Sequence, residues 1–116
     1  MEIKTHHINN ITIAEIISEE TVITSVEDAL DLVGNLYYQG FDKVVIYEKN
    51  LTPDFFDLKN KLAGEILQKF SNYRIRLAVV GDFDKVESNS LRDLISESNK
   101  TTHINFVKNI ADAIGK

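Results

Sequence analysis

The chain has 116 residues, 43% hydrophobic and 27% charged, with a net charge of −5, the composition of one soluble domain. The excess of acid argues against a general nucleic-acid or anionic-membrane binder, because attraction to phosphates needs a basic field. Without cysteine there are no disulfides, thiolate nucleophiles or cysteine-ligated metal centres. No apolar run approaches the roughly 20 residues needed to span a bilayer, and MEIKTHHINN lacks the apolar segment of a secretion signal, so a cytoplasmic location is expected.

Residues 2–8 and 11–17 read as two extended segments joined by Asn9-Asn10. Asparagine tolerates the left-handed backbone of a tight turn, which predicts an antiparallel hairpin. Ile3, Thr5 and His7 share one face of the first strand, while in the second Ile11, Ile13 and Glu15 alternate with Thr12, Ala14 and Ile16. Residues 21–24 are expected to add a short strand. Ser25 then caps a helix, with Asp28 three residues on, and Val26, Ala29, Leu30, Val33, Leu36 and Tyr37 form its inward stripe. Gly40 suits the position after the helix end, with Phe41 folding back on the last turn.

Val44 to Tyr47 is a continuous apolar run that reads as a strand buried on both faces. Thr52 caps the next helical turn, Pro53 fits its first position, and Asp54 complements the positive end of the helix dipole. Phe55, Leu58, Leu62, Ile66 and Phe70 make an inward stripe beside Ala63 and Leu67, with a kink at residues 59–61. Gly64 costs about 1 kcal/mol in a helix interior relative to alanine, so its presence predicts close packing against a neighbour.

Ser71-Asn72 ends that helix, residues 74–80 form a second buried strand, and Gly81-Asp82 terminates it. Beyond a polar loop, Ser90 is expected to cap a helix with Leu91, Leu94 and Ile95 inward. Residues 102–107 form the last strand, and Asn109 caps a terminal helix carrying Ile110, Ala113 and Ile114. Strands alternate with helices from residue 43 onward, which predicts parallel pairing through right-handed crossovers. The expected fold is a single α/β domain over residues 1–116, with a mixed, mostly parallel sheet, an N-terminal antiparallel hairpin and flanking helices.

The segments FFDL, LAGEILQKF and RLAVVGDF, followed by SLRDLISESNK and HINFV, resemble a bacterial family, the domain-of-unknown-function 4180 group, over nearly the whole chain. That resemblance implies no activity. The order of elements is also similar to the STAS domain of sulphate transporters and anti-sigma antagonists, which implies a STAS-like arrangement. In anti-sigma antagonists a DSSG-like turn carries the serine that accepts phosphate. The nearest stretch here, Asp57-Leu58-Lys59-Asn60-Lys61-Leu62-Ala63-Gly64, has no hydroxyl residue, so the analogy extends to fold and leaves the phosphorylation switch behind.

Ligand sites in open α/β sheets lie beyond the carboxyl ends of parallel strands. Those ends bring together Glu48, Lys49 and Asn50, then Gly81, Asp82 and Asp84, then Lys108 and Asn109, with Asp54 and Asp57 on the turn near the first group. Glu48, Asp54, Asp57, Asn60, Asp82 and Arg92 are the candidate site residues. Converging carboxylates there would hold Mg²⁺ or act as an acid/base pair. The plainer alternative gives Asp54 to the helix dipole and leaves the others as solvated loop residues. Asp82 is either a ligand contact or the acceptor of its own turn, and Arg92 suits a carboxylate or phosphate.

His6 and His7, adjacent on a strand, point to opposite faces, and neither they nor His103 have the i, i+4 spacing of a helical zinc motif. No metal ligand set is expected. GxGxxG, Walker A and GxSxG patterns do not occur. No catalytic set and no cofactor is therefore assigned. The leading expectation is a non-catalytic interaction or regulatory module with a protein partner or a second copy, and no nucleic acid or membrane. Its rival is a small-molecule or metal-binding protein, or an enzyme, that uses the acidic strand ends.

Overall fold

The structure, a computed structural model, describes residues 1–115. Asn9 and Asn10 both take left-handed backbone, φ 52° and 67°, as a two-residue hairpin turn of the primed type requires. They join β1 (Glu2–Ile8) to β2 (Ile11–Ile17) in antiparallel register, from Ile8 opposite Ile11 to Glu2 opposite Ile17. The chain continues through α1 (Val26–Tyr38), β3 (Lys43–Tyr47), α2 (Leu62–Asn72), β4 (Arg76–Val80), α3 (Asn89–Asn99), β5 (Ile104–Val107) and α4 (Ile110–Gly115). The strands form one five-stranded sheet in the order β1-β2-β3-β4-β5, parallel from β2 to β5. The sheet thus grows in one direction, and its order never reverses.

Side-chain alternation sorts the strands into two faces. Ala14, Ile16, Val44, Ile46, Leu77, Val79, Ile104 and Phe106 turn toward the three crossover helices, where they meet Val33 and Leu36 of α1, Ile66 and Phe70 of α2, and Leu94 and Ile95 of α3. Ile13, Val45, Ala78, Val80 and Val107 turn the other way, against Ile110, Ala113 and Ile114 of α4. No helix among the described residues is long and apolar enough to cross a membrane.

The helix ends follow their sequence signals closely. Ser25 Oγ accepts the Asp28 amide at 3.1 Å. At the other end of α1 the Gly40 amide reaches the Tyr37 carbonyl and the Phe41 amide the Leu36 carbonyl, each at 3.1 Å, with Gly40 at φ 87°; this is a Schellman ending. The end of α2 repeats it with Arg74 at φ 57° in the glycine position. The Ile75 amide there bonds the Phe70 carbonyl at 3.0 Å. Strand β4 accordingly begins at Arg76 rather than at residue 74.

Other expectations need correction. Residues 21–24 form only the single bridge of Ile23 to Leu51, because Val22 and Ile23 both donate to the one carbonyl of Asn50, at 2.7 and 3.0 Å. In α1, Leu30 and Tyr37 are 39% and 55% exposed. Leu32 takes their place, since the core-facing arc is centred on Ala29, Leu32, Val33 and Leu36. The central helix is broken more deeply than a kink. Three short 3₁₀ turns, at Glu48–Asn50, Pro53–Phe56 and Leu58–Asn60, precede α2, and Lys61 at φ 64° interrupts the helical path. Gly64 is exposed, and a Cβ there would meet nothing within 4 Å. Its glycine does not answer to packing. The cap of α3 is Ser88, whose Oγ accepts the Leu91 amide at 3.2 Å, two residues before the expected Ser90.

Candidate functional site

The carboxyl ends of β3 and β4 lie side by side, with Tyr47 opposite Val80, and each leads into a different kind of turn. After β3 the buried side chain of Asn50 accepts the Tyr47 amide at 3.2 Å and donates to the carbonyls of Ser18 and Glu20 at 2.9 and 2.8 Å. One amide thus ties the β3 turn to the loop after β2. After β4, Gly81 lies so close to its neighbour that a Cβ would fall 2.6 Å from Glu48 Oε1, 2.9 Å from Glu48 Cβ and 3.0 Å from Phe83 Cζ. Glycine is needed here for space, not for a left-handed φ, and the space it leaves lets Glu48 lie across the strand end.

Between these turns opens a cleft of about 530 Å³. Its walls are Leu51, Pro53 and Phe56 from the β3 side and Phe83, Val86 and Leu91 from the β4 side, with Thr21, Glu48 and Lys49 as its polar groups. The two aromatic walls belong to a string of rings that starts in the core. Phe55 meets Phe56 at 5.0 Å between centroids, Phe56 meets Phe83 at 6.2 Å, and Phe83 meets Phe106 edge-on at 5.4 Å. Ring contacts of this kind fix orientation as well as burying area. Lys49 is directed to Glu19, with 3.0 Å between Nζ and Oε2, and Glu48 has no ion-pair partner among the described residues.

Of the six candidate residues, only Glu48 lines the cleft. Asp57 accepts the Lys59 amide at 3.2 Å, and Asn60 accepts the Leu62 amide at 2.8 Å while donating to the Asp54 carbonyl at 2.9 Å. Asp54, Asp57 and Asn60 are thus exposed groups on the 3₁₀ turns, two of them engaged in local caps. Asp82 is exposed and accepts the Asp84 amide at 3.2 Å, the turn role set against a site role above. Asp84 in turn pairs with Lys108 at 3.0 Å, which holds the lysine above its ordinary pKa. Arg92 donates from Nε to the Val86 carbonyl at 2.7 Å, so it steadies a cleft wall from behind. The carboxylates do not converge: among the described residues no group of three or more His, Asp or Glu could hold a metal ion. A sheet whose order never reverses has no switch point to draw its loops apart around a central crevice.

Sequence reasoning missed the apolar walls. Their signal was present as apolar residues inside otherwise polar turns, Phe56 in TPDFFD and Phe83 and Val86 in GDFDKVE. It also missed a polar chain on the α4 face of the sheet. Tyr47 donates its hydroxyl to Glu15 Oε2 at 2.6 Å, and His6 Nε2 lies 2.9 Å from Glu15 Oε1. Burial pushes the Glu15 carboxyl up, but the bonds from Tyr47 and His6, with the charges of His6 and Lys4, outweigh it and hold the group below its ordinary range. Burial, together with the bond and charge of Glu15, pushes the Tyr47 phenol up to about 12. Nearby on the same face, the ammonium of fully buried Lys43 donates to the Ala113 carbonyl in the last turn of α4, where a cation complements the helix dipole. The clue to this chain was Glu15 in alternation with Ile11 and Ile13, on a face that had to be buried.

No curated protein and no solved structure matches the chain. A family model matches residues 8–116, almost the whole domain including the cleft and the polar chain's Glu15 and Tyr47. The chain therefore belongs to the family described as Domain of unknown function (DUF4180).

Proposed function

We propose that the protein is a small non-catalytic interaction or regulatory module that binds the apolar part of a ligand in the cleft between the β3 and β4 turns. The observation that carries this reading is the cleft itself: about 530 Å³, walled by Phe56, Phe83, Leu51 and Leu91. Volumes of roughly 300–1,000 Å³ with apolar walls and a few polar groups are typical of ligand sites. The polar groups at hand, Thr21, Glu48 and Lys49, suit orientation better than group transfer, since Lys49 is engaged by Glu19 and a base aimed at the Thr21 hydroxyl is not among the described contacts.

The more specific form of the reading is a bacterial, cytosolic regulator of STAS-like architecture. The hairpin start followed by alternating helices and strands supports the likeness in fold. The turn that opens α2 runs from Asp57 to Gly64 without a hydroxyl, so regulation through this module rests on binding rather than on phosphate at that turn.

A screen of small apolar fragments by amide chemical shifts tests the proposal. Bound fragments should shift Phe56, Phe83, Val86 and Leu91 and raise the melting temperature, because a ligand of the folded state stabilises it. Val86→Trp should fill the cleft and abolish those shifts while leaving the fold intact. Fragments that shift none of these amides, or that bind the Trp variant equally well, would refute the cleft as a binding site.

A further inference from the structure

Resting on the cleft reading above, we infer that the ligand is an organic cation, an ammonium group on an apolar stem. Three observations set the sign of its charge. Glu48 lines the cleft and has no ion-pair partner among the described residues. Its side chain, exposed at the cleft mouth, lies over Gly81, where a Cβ would sit 2.6 Å from Oε1 and 2.9 Å from Glu48 Cβ. The competing cation of the cleft, Lys49, is drawn to Glu19 at 3.0 Å.

The shape of the apolar part agrees with that charge. Phe56 and Phe83 line the same cleft as Glu48, with centroids 6.2 Å apart and planes tilted 37° to each other. Aromatic faces carry negative potential and attract ammonium groups, most strongly where water is displaced. Phe83 is fixed by its edge contact with Phe106, at 5.4 Å, so its ring is presented with little ordering cost on binding. An ammonium between the Glu48 carboxylate and these rings would run its stem along Leu51, Val86 and Leu91, the apolar wall of the cleft. An anionic ligand would meet the charge of Glu48 and would have to compete with Glu19 for the exposed Lys49.

Four probes with stems of matched size separate the possibilities: hexylamine, hexyltrimethylammonium, 1-hexanol and hexanoate, each titrated by amide shifts and calorimetry. The two cations should bind about tenfold more tightly than hexanol, the order of a partly desolvated cation–π contact joined to one charge pair. That advantage should shrink as salt rises. Glu48→Gln should erase the cation advantage while leaving hexanol binding and the melting temperature nearly unchanged. Phe83→Leu should reduce hexyltrimethylammonium binding more than hexanol binding. Hexanol binding at Phe56 and Phe83 with no preference for the amines would overturn the cation inference and leave the cleft reading standing. Tighter binding of hexanoate, lost in Lys49→Met, would overturn it as well. Failure of all four probes would count against both.

Discussion

The two faces of the sheet are built from the same strands yet solve burial in different ways. The face under α1, α2 and α3 is apolar throughout, with Ile16, Val44, Ile46, Leu77 and Val79 nearly inaccessible to water. The face toward α4 buries fewer apolar groups and places Lys43, Glu15 and Asn105 among them, all below one-tenth exposure. Three long crossover helices can cover one face completely, whereas the six-residue α4 covers only part of the other. Two of these groups are held by partners: Tyr47 from β3 and His6 from β1 both meet Glu15 on β2, and Lys43 donates to the Ala113 carbonyl of α4, whereas Asn105 donates to the Thr101 carbonyl and leaves its buried Oδ1 without a partner among the described residues. A short cover thus demands hydrogen bonding where a long cover needs only volume, since a buried polar group without a partner is costly.

The sharpest way to break this comparison is to empty the covered face. Phe70 is fully buried in α2, and Phe70→Ala should destabilise by about 3–5 kcal/mol through lost burial and the cavity left behind. Urea unfolding measures it; a loss near 1 kcal/mol would show that this face collapses and is no tighter than the other.

On the polar face, Tyr47→Phe keeps the ring and removes one donor to a buried carboxylate, which should cost about 1–3 kcal/mol. Its pH dependence distinguishes it from a packing loss. Glu15 titrates below its ordinary value in the fold, so the stability it contributes is present above the ordinary carboxylate value and lost as pH falls through the lowered one. Without the Tyr47 hydroxyl that loss should begin at higher pH. Tyr47 is raised to about 12, so the wild type should also lose stability as pH climbs from its ordinary value of 10.0 toward 12, a loss the Phe variant should lack. Identical acid and alkaline limbs in the two proteins would remove the polar chain from the account of stability.

Two glycines sharpen the picture at sites outside either core. Gly81→Ala sets a Cβ against Glu48 and Phe83 and should destabilise by about 1–2 kcal/mol through overpacking. Because the Glu48 Cβ is among the atoms struck, rotation of the carboxylate alone cannot relieve it. Gly64→Ala, with nothing within 4 Å, should instead stabilise by about 0.5–1 kcal/mol through helix propensity. Thermal melts of the pair should move in opposite directions, and a shared direction would place one of these contacts wrongly.

Local chemistry in the sequence was enough to locate most elements. Asn9-Asn10, Ser25, Gly40 and Thr52-Pro53 act through bonds a few residues long, and each does in the fold what its residue type implies. The apolar run 44–47 and the stripe of Ala63, Ile66 and Phe70 are likewise legible, because burial follows the period of the element. Reasoning failed where two segments distant in sequence share one constraint. Leu30 reads as core because nothing local shows which arc of α1 the sheet will cover. Gly64 and Gly81 look alike until the position of Glu48 is known. Of the six candidate residues, Glu48 and Asp82 lie at strand ends, Asp54, Asp57 and Asn60 on the turns after β3 and Arg92 on α3; Asp57, Asn60 and Asp82 are occupied by turns of their own, and only Glu48 lines the cleft.

By itself the sequence determined the class of the fold, the hairpin, the parallel succession and the family, since these follow from periodicity, capping and segment identity along the chain. The tertiary structure alone decided that the sheet order runs without reversal, that Phe56, Phe83 and Leu91 meet around Glu48, and that Glu15 joins His6 to Tyr47. The two bonds of the polar chain alone span 9 residues between His6 and Glu15 and 32 between Glu15 and Tyr47. They depend on strand register and on which face each helix covers, quantities that no short stretch of sequence carries.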